Sequence, residues 1–232
     1  SLYLAFRDIP RLLQSYSLLN RDSCVKALDF GCGAGGSTRY LKSLKCLFKN
    51  GIEVEGVDIS SDMLNLALQM DSGGCYMLLK NDHIPLSDDS CDLIISTFVL
   101  FEFATKEKMV QILKEIKRVM KKDAVFIAAT GSAESYNRDN QWVSLKVDFP
   151  QNDHLKSGDL GRIDFLVNEK IITFQNYYWT EEDYQEAFQE SGLILSDSLH
   201  PLGNKEEEKN LSWQWKSELT QAPYYIFILK KS

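Results

Sequence analysis

Histidine is scarce in this 232-residue chain: His83, His154 and His200 are the only three, and no two share a metal-ligand spacing. Metal chemistry is therefore not expected. The five cysteines, at 24, 32, 46, 75 and 91, are odd in number and form no C-x-x-C pair. They read as buried thiols of a reducing compartment, so a cytoplasmic location is expected. No apolar run approaches the roughly 20 residues that cross a bilayer, and no membrane partner is expected. The opening SLYLAFRDIPRLLQSY places arginines and a proline where a signal peptide needs an unbroken apolar stretch. Basic charge is in deficit as well, with 26 Lys and Arg against 33 Asp and Glu, a net −7. That balance argues against nucleic acid as the main partner, since phosphate recognition draws on clustered cations.

What is present is the composition of an ordinary globular protein, 44% hydrophobic and 25% charged, in a length that suits one domain with a well-buried core. Up to about residue 130, short apolar runs alternate with segments of helical period, the pattern of a parallel sheet with helices on both faces. The runs are VKALDF (25 to 30), IEVEGVDI (52 to 59), CYMLLKN (75 to 81), CDLIIST (91 to 97) and AVFIAAT (124 to 130). Between them, one helix ends near Gly51, and a second is capped by Ser60 or Ser61 with Met63, Leu64, Ala67 and Leu68 as its buried face. The longest begins at Thr105 and buries Met109, Ile112, Leu113, Ile116, Val119 and Met120, and polar Lys121 to Asp123 then turns the chain.

From 131 to 179 the chain is a polar excursion, ending in a hairpin of RIDFLV and IITFQNYY around Asn168-Glu169-Lys170. Residues 180 to 232 hold a helix with a Thr180/Asp183 capping box, the strands LILSDSL and PYYIFILKK, and a solvated loop GNKEEEKN between them.

ALDFGCGAGGST, residues 27 to 38, carries the strongest chemical signal. Gly31, Gly33 and Gly36 fit the G-x-G-x-x-G spacing that seats a dinucleotide pyrophosphate on a helix N-terminus. Asp29 would repel that anion. A ligand with a sulfonium and an ammonium and no phosphate tolerates the acid. Asp58, at the end of the second strand, can accept both hydroxyls of a ribose, which S-adenosylmethionine and NAD share.

LDFGCGAGGST resembles motif I of the class I S-adenosylmethionine-dependent methyltransferases, with Gly31, Gly33 and Gly35 in the matching places. ISSDML, NDHIPLSDDSCDLIIS and EIKRVMKKDAVFIAAT resemble the later segments of the same family, in order, over about residues 25 to 130. Cys91 departs from the usual aromatic residue. The resemblance implies a Rossmann-like, doubly wound α/β fold: a seven-stranded, mostly parallel sheet with an antiparallel last strand and an inserted lid and hairpin segment. It implies S-adenosylmethionine as cofactor and S-adenosylhomocysteine as product. The contacts it implies are Asp29, Gly31, Gly33 and Gly35 toward the methionine part, Asp58 on the ribose, and Ile59 on one adenine face. Asn81 and Asp82 would meet the adenine edge, with Met63, His83 and Ser96 beside them, and Arg7 would reach the cofactor carboxylate.

In-line methyl transfer mainly needs a placed acceptor and excluded water, so no catalytic triad is expected and none is found. All four tryptophans, 142, 179, 213 and 215, follow the cofactor region, which suggests an aromatic-lined acceptor pocket. His154 after Asp153 is a candidate base. The expected activity is methylation of a small molecule on nitrogen or oxygen, with cofactor contacts within about 1 to 130 and the acceptor lid at 131 to 179. A protein that only binds the cofactor, or an NAD-dependent reductase, are the alternatives, and the sequence sets no oligomeric state.

Overall fold

The computed structural model describes residues 2–137, 139–143, 145–147, 152–167 and 170–232. Of the described strands, seven form one sheet: β1 (Val25–Phe30), β2 (Ile52–Asp58), β3 (Cys75–Leu78), β4 (Cys91–Thr97), β5 (Met120–Gly131), β9 (Leu193–Leu199) and β10 (Tyr224–Lys231). Their order is β3-β2-β1-β4-β5-β10-β9. The first five are parallel, and β10 runs antiparallel between β5 and β9. The order reverses at β1, between β2 and β4, where open α/β sheets form a crevice at the strand carboxyl ends.

Parallel strands covered on both faces read as continuous apolar runs, and here successive residues serve two cores. Leu28, Phe30, Ile94 and Phe126 pack under α5 (Lys106–Val119) and α6 (Glu181–Ser191). Ala27, Ile95 and Ile127 pack on the other face with Leu13 of α2 (Ile9–Ser15) and Leu41 of α3 (Gly36–Ser43). The short α1 (Tyr3–Phe6) joins that second face. A further helix, α4 (Ser61–Met70), lies beside β2 and β3. No helix among the described residues is long and apolar enough to cross a membrane.

The structure departs from the expected elements in four places. Lys121 to Asp123 do not turn the chain; β5 already begins at Met120 and bulges against β4. The reason is buried Asp92 on β4, which gathers Lys121 Nζ (2.9 Å), Arg21 Nη1 (2.7 Å) and the Lys26 amide (2.9 Å). On α4 only Leu64 and Ala67 are buried, while Met63 and Leu68 stand 44% and 39% exposed. In GNKEEEKN, Glu207 pairs with Arg7 and Glu208 Oε1 accepts the Trp215 amide at 2.9 Å, so the loop is fastened down.

The excursion is the fourth. Its described part holds a second sheet, β6 (Leu145–Val147), β7 (Leu160–Val167) and β8 (Lys170–Tyr177), with a small core around Tyr136, Trp142 and Ile163. The two segments the sequence predicts do pair, but Lys170, expected in the loop, begins β8 and pairs with Val167; Asn168-Glu169 lie outside the described residues. The third strand carried no signal.

Candidate cofactor site

At the carboxyl end of β1 the chain turns through Gly31, Gly33 and Gly35 at φ of +73°, +50° and +76°. Gly31 is irreplaceable on space as well, because a Cβ there would lie 2.2 Å from Val99 Cγ2. The amides of Gly31 and Cys32 donate to the Val57 carbonyl at 2.8 and 3.0 Å, tying the loop to β2. Nothing lies within 4 Å of where a Gly33 side chain would begin, so the loop opens there onto free space.

Asp58 organises the other wall. Its Oδ2 accepts the Gly33 amide at 2.7 Å and its Oδ1 accepts the Ser60 amide at 2.9 Å. A carboxylate has about four acceptor sites, so a ribose can still be held while the acid fixes the loop. Beside it Ile59 is 75% exposed, an apolar side chain of β2's exit left facing solvent, with Met63 on the next turn. The cradle thus unites a backbone loop, an oriented acid and two uncovered apolar side chains, which fits the polar and flat parts of an adenosyl group.

Asp29 lies at the floor, fully buried and turned toward α3. The hydroxyls of Ser37 and Thr38 both donate to its Oδ2 at 2.6 Å, while Oδ1 has no partner among the described residues. Burial pushes its pKa up to about 6 against the pull of those two hydroxyls, and the nearby Asp58 charge adds to the rise. Burial beside the same acids pushes the Cys32 thiol up to about 12, so it stays protonated and is no nucleophile. Two acids under one loop favour a cationic ligand over a pyrophosphate.

The remaining candidates are dispersed. Ser96 is buried on the opposite face of the sheet from Asp29, its hydroxyl unpartnered among the described residues. Asn81 and Asp82, at φ of +51° and +59°, form the tight turn between Lys80 and His83 that short polar side chains tolerate. Asp82 pairs with Lys108, and His83 Nδ1 lies 2.8 Å from Glu115 Oε1, so both side chains face α5. They border a depression on the outer side of α5, ringed by paired charges such as Glu115–Arg118. Arg7 is engaged by Asp8, Glu207 and the Leu202 carbonyl and does not reach the glycine loop. His154 is exposed in a turn of the excursion at φ +62°.

Sequence reading did not single out the residues that close the site. Ser37 and Thr38 were legible as hydroxyls one helical turn past the glycines. Val99, which packs on the loop, lies within Phe98 to Phe103, the segment after β4 expected with the excursion to cover the acceptor.

The fold and cradle define a class, the Rossmann-like α/β proteins that bind a nucleoside at the switch point of the sheet. Residues 28–128 match the family model of a methyltransferase domain. The N-demethylindolmycin N-methyltransferase of Streptomyces griseus is 28% identical over 192 residues, covering 79% of this chain and 76% of that protein. A probable tRNA methyltransferase 9B of Mus musculus is 30% identical over 111 residues, 47% of this chain but only 22% of its own length. A solved S-adenosylmethionine-dependent methyltransferase from Methanosarcina mazei shares the fold at a TM-score of 0.64 and 17% identity, over 95% of this chain and 96% of that one. Residues 28–128 thus carry a methyltransferase domain, in the fold of solved S-adenosylmethionine-dependent methyltransferases.

Proposed function

We propose that this enzyme methylates a small molecule on nitrogen or oxygen, using the cradle for its cofactor and the excursion as the cover of the acceptor. Asp58 would hold the ribose hydroxyls, Ile59 and Met63 would border the adenine, and the amides from Gly31 to Gly35 would meet the methionine part. The bound sulfonium supplies a methyl group already activated for displacement. The chain's own task is to place the acceptor and keep water out, an effect that can supply roughly 7 to 11 kcal/mol.

One observation carries the acceptor reading. The excursion is fastened to the turn after β4, with Asn176 Nδ2 donating to Glu102 Oε1 at 2.7 Å and Trp179 Nε1 to the Phe103 carbonyl at 3.1 Å. That same turn presents Val99 to Gly31, so the cover and the cofactor loop meet at one place. The match to the Streptomyces N-methyltransferase is longer than the whole cofactor half, so it runs into the excursion as well. The five cysteines are free thiols, of which Cys32 and Cys91 are buried as expected and Cys46 and Cys75 are exposed, and free thiols support a cytoplasmic enzyme.

The test is to incubate the protein with methyl-labelled S-adenosylmethionine and a metabolite extract, tRNA or total protein in parallel. Label should enter the low-molecular-weight fraction. Label confined to RNA or protein would overturn the substrate class, and tight NADH binding without S-adenosylhomocysteine binding would overturn the cofactor.

A further inference from the structure

Glu102 closes the short turn Leu100–Glu102, its amide donating to the Val99 carbonyl at 2.9 Å. It therefore stands one turn from the side chain that packs on Gly31. Its Oε1 is held by Asn176 of β8, which is buried to 5% exposure and so is a fixed donor. Asn176 pairs in register with Gly161, and there the missing side chain admits Tyr136, whose ring would be 2.4 Å from a Cβ. Tyr178 meets Tyr136 edge-on at 5.4 Å, and Phe98 and Phe101 stack at 6.2 Å along the same turn.

Several acids of this protein have a cation, while exposed Glu102 is held by a neutral donor. Asp92 has Arg21 and Lys121, Glu115 has Arg118, and Glu207 has Arg7. Glu102 has none among the described residues, and only one of its oxygens is occupied. Its other side is open to solvent. Partial enclosure raises its carboxyl pKa against the Asn176 hydrogen bond, a secondary support given that exposure. Tyr136 is the titratable group facing it. A carboxylate oriented by a buried neutral donor, unpaired, and set among aromatic rings is the arrangement that recognises an N–H-bearing, cation-forming nitrogen on a flat molecule.

We propose that Glu102, oriented by Asn176, is the specificity-determining carboxylate of the acceptor site and takes the basic nitrogen of a small alkylamine that bears an aromatic ring. The assignment rests on the small-molecule reading above and narrows it to nitrogen acceptors. An alcohol or phenol in the same place would bring one hydrogen bond and no charge, and a carboxylic acid would be repelled.

Saturation-transfer NMR on protein loaded with S-adenosylhomocysteine tests it, with a set of aryl-ethylamines and their matched aryl-ethanols as probes. Amines should bind at least about tenfold tighter than the alcohols, as one charged hydrogen bond implies. Glu102→Gln should erase that preference and Glu102→Asp should keep part of it, with S-adenosylhomocysteine affinity unchanged within about twofold in both. Amine preference that persists in Glu102→Gln overturns the assignment and leaves the small-molecule reading standing. A wild type that binds no amine, or binds alcohols equally well, overturns the assignment too. If that wild type also methylates only RNA or protein, both readings fall.

Discussion

Asp58 and Asp29 show how two acids beside one loop take different work from their surroundings. Asp58 is partly open and bonded to two amides, Gly33 and Ser60, so it stays available to a ligand while holding the loop. Asp58→Ala should weaken S-adenosylhomocysteine binding by at least about 100-fold by calorimetry, since charged hydrogen bonds contribute roughly 1.5 to 3 kcal/mol each and the ribose offers two. Affinity within about twofold of wild type would remove Asp58 from the site. Asp29 is closed in, with its pKa raised from 3.8 to about 6. Between those values the folded state binds more protons than the unfolded state, so Asp29's contribution to stability is full below about pH 4 and is lost as pH rises through about 6. Asp29→Asn keeps an oxygen for Ser37 and Thr38 and does not titrate. The stability gap between wild type and Asp29→Asn should therefore shift against wild type by about 3 kcal/mol from pH 4 to pH 7.5, read by urea denaturation. A gap independent of pH would contradict the raised pKa. Both acids were legible in the sequence because motif spacing is local. The Glu102–Asn176 bond joins residues 74 apart, and nothing along the chain announces it.

At the scale of elements, legibility followed how much of an element's environment lies within its own segment. β1 and β4 have the bounds their apolar runs predict, and α5 buries Met109, Ile112, Leu113, Ile116 and Val119 as its period marks, while Met120 is buried as the first residue of β5. The capping box at Thr180 is formed in both directions, and Gly192 closes α6 at φ +75°. α4 misled because half of its apolar stripe, Met63 and Leu68, is exposed instead of packed. Met63 stands at the cradle rim, where an uncovered apolar residue suits a ligand, and periodicity cannot tell a ligand face from a core face. β5 misled for the opposite reason, as its polar start is drawn into the sheet by buried Asp92 of another strand. The excursion read as polar loop because its small core rests on Tyr136, Trp142 and Ile163, scattered over three elements.

For the whole molecule, the sheet's order reversal sets the location of the chemistry and the excursion sets its boundary. The strand carboxyl ends of β1, β2 and β4 bring Gly31, Asp58 and Val99 together, and β8 reaches the same edge through Asn176. The seven-stranded, mostly parallel sheet with antiparallel β10 is the one the motif resemblance implies, while its strand order is a property of the assembled fold. Arg7 was misplaced because the partner it finds, Glu207, lies 200 residues away in a loop that reads as solvent-facing. The central claim is that the cofactor lies in the cradle of Gly33, Asp58 and Ile59. The most direct test is amide hydrogen exchange by mass spectrometry with and without S-adenosylhomocysteine. Exchange should slow in the segments 30–38 and 57–64 and stay unchanged on the outer face of α5 around Gln111 to Arg118. Protection confined to that face and to the turn at Asn81 to His83, with none in the glycine loop, would contradict the account.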